Sequence, residues 1–206
     1  MKRTVAIMAG AALILLFATL FLVVMPYTQM ASEPVPEGLE PYTDSELRGR
    51  DVYISEGCMY CHSQQPRDPG FSSADQERGW GRAPVPGDYA YDQPQLMGTM
   101  RTGPDLLNIG ARQPSEQWHL VHLYDPRAVV PDSTMPPYRY LFEVVDTPLP
   151  DDTVVDLPEE HAPERGVVIT TQEVEDLVAY LKALDRTYPA ETLTQDPDND
   201  DNGGEG

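Results

Sequence analysis

Apolar residues crowd the start of this chain and become periodic only near its end. Val5 to Met25 is an uncharged run of 21 residues. As a helix rising about 1.5 Å per residue it would be about 32 Å long, close to the hydrocarbon thickness of a bilayer. A cleaved signal peptide is the competing reading, but its apolar region usually spans about 7–15 residues. A retained anchor over residues 1–26 is therefore the expectation. Lys2 and Arg3 precede the run, which predicts a cytoplasmic N-terminus and everything after Pro26 outside. Residues 27–42 hold Pro34, Pro36 and Pro41 and no lysine, the composition of an extended linker. Thr43 or Asp44 then reads as a helix N-cap, with Glu46 in the first turn and Leu47, Val52 and Tyr53 on the inner face.

From Ser63 to Met100 no period emerges, and Gly, Pro, Asp and Tyr dominate, which predicts a long loop with short helical turns. Ser115 to Tyr124 reads as a short helix capped by Ser115. Glu143 to Gly166 is acidic and proline-bearing, a surface excursion in which His161 is expected to be solvated. Thr170 to Glu173 matches a capping box, and Val174, Leu177, Val178, Leu181 and Leu184 follow at helical spacing. That amphipathic helix is expected to pack across the helix that begins near Thr43. Residues 191–206 carry six acidic residues and no basic ones, and are expected to be disordered.

The whole chain is acidic: 206 residues, formal charge -20, with lysine only at positions 2 and 182. Nucleic acid is excluded as a partner by that balance. Adaptation of the surface to saline surroundings is the preferred reading, and docking of a basic redox partner the other.

The chemistry centres on Cys58-Met59-Tyr60-Cys61-His62, which contains the only two cysteines. The spacing C-x-x-C-H is that of a c-type haem attachment site. Two thiols one helical turn apart can add to the two vinyl groups of one porphyrin, and the next residue, His62, can supply an axial nitrogen. A thioredoxin-like motif would want a βαβ pattern, which is missing. A structural zinc would want four ligands, and there is no second cysteine pair. A plain disulfide is the remaining alternative. Downstream, the Gly103-Pro104 pair predicts a turn whose carbonyl can accept the Nδ1 proton of His62 and fix its tautomer. Met135, flanked by Pro131 and by Pro136-Pro137, has the setting of a sixth ligand held by a stiffened loop, with Met59, Met97 and Met100 as rivals. His119 and His122 are expected to be hydrogen-bonded structural histidines.

With these residues in place the chain resembles the membrane-anchored mono-haem cytochrome c subunit (subunit II) of cbb-type cytochrome c oxidases, within the haem–copper oxidases. The matching words are Glu56 to Gln65 with Arg67, Tyr91-Asp92-Gln93-Pro94, Gly98, Arg101 to Leu106, Trp118 to Leu123, Pro126-Arg127 and Ser133 to Tyr138. The resemblance covers roughly residues 26 to 186. The resemblance implies one transmembrane helix and one periplasmic class I-like cytochrome c domain. It implies thioethers at Cys58 and Cys61, a proximal ligand at His62 and a distal ligand at Met135. Three features depart from the family: Met97, Thr99 and Met100 where an aromatic, a serine and a lysine are common, the long excursion, and the acidic tail.

The expected fold is mainly α: an anchor (1–26), a linker (27–42), a cytochrome c domain with long loops around one haem (43–190) and the tail. The expected function is non-catalytic electron transfer through one covalent haem c to the haem–copper subunit that reduces dioxygen. Expected partners are that catalytic subunit, a further cytochrome c subunit, a soluble cytochrome c donor and the bacterial inner membrane. Arg127 is expected to pair with a haem propionate, with Arg101 and Arg112 as rivals. Another respiratory complex, such as a nitric-oxide reductase, and a peroxidase-like haem enzyme are the alternatives.

Overall fold

The structure is a computed structural model that describes residues 2–64, 78–98, 100 and 102–190. Gln65, Arg67, Thr99, Arg101 and the acidic tail, all singled out above, lie outside the described residues. The apolar run forms helix α1 (Lys2–Thr19), a π-turn (Leu20–Val24) and helix α2 (Met25–Ala31). Lys2–Gln29 is long and apolar enough to cross a membrane, and no residue of α1 is buried by protein. Proline lacks an N–H and crowds the carbonyl one turn back. The π-turn, closed by the Met25 N–H on the Leu20 carbonyl, lies immediately before Pro26 and lets the helix run on to Ala31. The helix therefore extends into the segment expected to be linker. Part of that segment is also docked. A Cβ on Gly87 would meet the Pro34 carbonyl at 2.5 Å, and one on Gly38 would meet Tyr188 at 2.9 Å.

Helix α3 (Asp44–Ser55) begins at Thr43 with a full capping box: Thr43 accepts from the Glu46 N–H, and Glu46 accepts from the Thr43 N–H at 2.6 Å. Its inner face differs from expectation at one position. Tyr53 is buried and Val52 half-buried, but Leu47 is 45% exposed; Gly49 and Arg50 are buried instead. Gly49 is where the last helix, here α6 (Gln172–Ala183), crosses α3. A Cβ there would lie 1.8 Å from the Asp176 carbonyl oxygen, so only glycine permits this approach. Tyr53 then meets Tyr180 edge-on, ring centroids 5.4 Å apart, as expected of an amphipathic helix packed across the first.

Two short helices complete the helical core, α4 (Ile109–Arg112) and α5 (Glu116–Tyr124). Ser115 caps α5, accepting from the Trp118 N–H. Gly110 of α4 packs on the end of α6, donating its N–H to the Leu184 carbonyl at 3.0 Å. The excursion is not wholly on the surface. It starts and ends in an antiparallel pair, β1 (Phe142–Val145) and β2 (Val167–Thr170), and Val155 within it is buried. The cap of α6 is Thr171, not the expected Thr170. Thr171 accepts from the Val174 N–H, while the Thr170 hydroxyl donates to Glu175 at 2.5 Å. With two threonines adjacent, the strand register decides which one turns toward the helix.

Candidate haem site

Helix α3 ends at Gly57, whose φ of +72° is left-handed, and the chain turns directly into a 3-10 turn, Cys58–Tyr60. The His62 N–H donates to the Cys58 carbonyl at 2.9 Å, so the motif closes a helical turn. Both cysteines are free thiols, Cys58 buried and Cys61 exposed. Burial, reinforced by Glu56, pushes the Cys58 thiol up to about 11. Tyr138 lies against it and is itself raised to about 12, by burial first and by Cys58 next.

His62 is held from several sides. The Tyr53 hydroxyl donates to its carbonyl at 2.8 Å. Its Nδ1 lies 2.8 Å from the Pro104 carbonyl oxygen, the contact expected from the Gly-Pro pair. A carbonyl only accepts, so Nδ1 carries the proton and Nε2 of the neutral ring presents its lone pair. Gly103 closes the cradle. Its N–H donates to the Cys61 carbonyl at 3.1 Å, and a Cβ on it would lie 2.1 Å from His62 Cε1. The sequence showed Gly103 only as a turn former; its contact with the ring has no local signal.

Met135 lies in a loop pinned at both ends. The Ser133 N–H reaches the Val130 carbonyl, and the Tyr138 N–H reaches the Leu123 carbonyl of α5, each at 2.9 Å. The Met135 N–H donates to the Ser133 hydroxyl at 3.2 Å. Its side chain is half-buried against the core cluster that also contains Cys58 and borders Met59, Leu106 and Tyr138. The rivals Met97 and Met100 are 39% and 55% exposed. Arg127 is exposed, its guanidinium 4.0 Å from Asp125. Arg112 stacks over Trp80 at 4.5 Å and donates to the Asp105 carbonyl.

The two α5 histidines part company. His119 is buried and bonded to the Gln113 carbonyl at 2.8 Å, as expected. His122 corrects the expectation: its Nδ1 is buried with no partner among the described residues. Burial, then the nearby charges of His119 and His62, push it down to about 4. His161 is also corrected. It is not solvated: its Nδ1 lies 3.3 Å from the buried carboxylate of Asp125, which also accepts from Arg139 and the Arg127 N–H.

This arrangement fits one haem: two thiols in one turn, an imidazole with its tautomer set, and a methionine in a loop pinned at both ends. A family profile described as cytochrome c oxidase, mono-heme subunit/FixO, matches residues 1–155. The chain belongs to that family. It is thus the mono-haem subunit of a cbb3-type haem–copper oxidase complex, with one haem and an N-terminal helix able to span a membrane. No curated protein is matched by the chain.

Proposed function

We propose that this chain carries electrons through one covalently bound haem c to the haem–copper catalytic subunit of its oxidase, and has no catalytic site of its own. When bound, the haem supplies a one-electron iron couple. Cys58 and Cys61 hold it by thioethers, and His62 offers Nε2 as the proximal ligand. The Pro104 carbonyl keeps the His62 proton on Nδ1 and so keeps the ligating nitrogen aimed and electron-rich. Met135 offers the distal thioether, a pairing that raises the potential of the couple. With His62 and Met135 both holding the iron, the chain would keep small molecules off it and the domain would exchange electrons only. Arg127 would pair with a haem propionate. The anchor lies in a bacterial inner membrane with its N-terminus cytoplasmic and the haem domain on the outer face. There the domain receives electrons from a further cytochrome c subunit or a soluble cytochrome c.

The observation that carries this reading is the His62 Nδ1 contact with Pro104, 2.8 Å, beside two free thiols. The test is an optical spectrum of the full chain in membranes, wild type and Met135→Ala. A covalent low-spin c-type spectrum whose sulfur-to-iron charge-transfer band disappears in the variant supports it. A band that persists gives the distal position to Met97 or Met100, and absence of covalent haem overturns the reading. An Arg127→Gln variant with unchanged potential removes the propionate pairing.

A further inference from the structure

The run Asp92-Gln93-Pro94 has had no part in the site so far. Its partner lies on the buried face of α3. The Arg50 Nε donates to the Asp92 carboxylate at 2.8 Å, and its two terminal nitrogens donate to the carbonyls of Gln93, at 3.4 Å, and of Pro94. The Arg50 and Asp92 side chains are 5% and 2% exposed. A guanidinium is a rigid planar fork, so these bonds fix the direction of the chain leaving Pro94 as well as its place. A buried ion pair gives little net stability over apolar groups of the same volume, so geometry is what this one supplies. The residues that follow run back along the attachment motif. The Gln64 N–H donates to the Leu96 carbonyl at 3.0 Å, and the Gly98 N–H to the Gln64 carbonyl at 2.9 Å. The Ser63 hydroxyl donates to the Met100 carbonyl, and the Gly103 N–H to the Cys61 carbonyl at 3.1 Å. A Cβ on Gly98 would lie 2.9 Å from that of Ser63, so the two stretches are in close contact. Pro104 comes next, with the carbonyl that meets His62 Nδ1 at 2.8 Å. One turn along α3 from Arg50, Tyr53 holds the His62 carbonyl.

Resting on the His62 ligation proposed above, we infer that Arg50 is a positioning residue of the haem centre: its fork sets the course of the chain from Pro94 that brings the Pro104 carbonyl to His62 Nδ1. Arg50 acts through that segment and not on the ligand itself. A carbonyl taking the Nδ1 proton makes the ring a stronger donor to iron. That favours the ferric state and holds the potential down, so a misplaced Pro104 lets the potential rise.

The experiment uses the full chain in its membrane complex. Arg50→Lys keeps a charge beside Asp92 and loses the fork; Asp92→Asn keeps an acceptor for the Arg50 Nε and loses the charge. The readouts are the haem midpoint potential, the g-values of the ferric low-spin EPR signal and the thermal midpoint. The lysine variant is expected to raise the potential and shift the g-values. The asparagine variant is expected to lower the thermal midpoint and keep the wild-type potential and g-values. A lysine variant that loses thermal stability alone overturns the inference and leaves Arg50 a structural residue. So does a lowered potential, the sign of water reaching the haem, and so does an equal shift in both variants, which would assign the effect to charge. Hydrogen exchange on the wild type decides the case if neither variant takes up haem. The Gly103 amide should open together with those of Gln64 and Gly98. A Gly103 amide that exchanges freely while the other two stay protected overturns the inference. A wild type without a low-spin c-type signal would instead overturn the His62 ligation itself.

Discussion

A Cβ on Gly103 would lie 2.1 Å from Cε1 of His62 and 2.6 Å from both ring nitrogens. Gly103→Ala must therefore push the imidazole away from the Pro104 carbonyl. Overpacking of this kind costs about 1–3 kcal/mol. The expected outcome is reduced covalent haem per chain, or a broadened low-spin spectrum, measured against wild type in membranes. Wild-type haem content and spectrum would show that the ring does not rest on Gly103. The buried histidines set an acid limb. Burial lowers both His119 and His122, the latter to about 4. An unfolded histidine titrates near ~6.5. The folded chain thus binds fewer protons below that pH. Stability from these rings is full above pH ~6.5 and is lost as pH falls toward ~4, by at most about 3 kcal/mol for His122. Asp125 and Asp176 have depressed values, Asp125 because pairing with Arg139 and His161 outweighs burial, and Asp176 chiefly through Arg48. Their contribution is present above pH ~3.9 and disappears below it. Denaturant midpoints at pH 7 and pH 5 should differ in wild type and differ less in His122→Phe; equal differences would remove His122 from the account.

At the scale of elements, the crossing of α3 and α6 depends on one missing side chain. Alanine is a better helix former than glycine by about 1 kcal/mol. Gly49→Ala would nonetheless place a methyl 1.8 Å from the Asp176 carbonyl oxygen. Separating two packed helices costs more than propensity returns, on the order of 3 kcal/mol. The expected outcome is a lower thermal midpoint of the haem domain, and a raised midpoint would mean the helices do not cross there. The same crossing aligns Tyr53, whose hydroxyl holds the His62 carbonyl at 2.8 Å, so helix packing and ligand position are one problem.

At the scale of the molecule, a membrane-spanning helix and a folded domain are joined by a short segment that is only partly docked. A protease site engineered between Ser32 and Glu33 should release the haem-bearing domain from the membrane. Gel mobility and haem staining of the soluble fraction read the result, and a product that stays with the membrane would show a second hold on it. On the orientation proposed above, cleavage should occur only with protease on the outer face. The excursion between β1 and β2 is bound back to the core through His161 and Asp125, which lies next to Pro126 and shortly before the Met135 loop. The excursion is therefore tied to the base of the proposed distal loop.

The sequence alone determined those features whose signal is local. A helix needs only its own run of apolar residues to be recognised as a span, so the apolar helix was legible, though its run on to Ala31 was not. Thr43 with Glu46 and Ser115 before α5 were legible because a cap spans three residues. The helical turn at Cys58–His62 was legible because its five residues are contiguous in the chain. Thr171, not Thr170, was chosen by the β-strand before it. Leu47 faces solvent because Gly49 and Arg50 took the inner face at the helix crossing. His119 and His122 look alike in sequence, and only packing gave one a carbonyl and left the other without a partner among the described residues. Asp125 found His161 across 36 residues, a pairing decided by where the excursion folds back. Contacts between segments distant in the chain depend on the placement of whole elements, and that is settled by the close packing of the core.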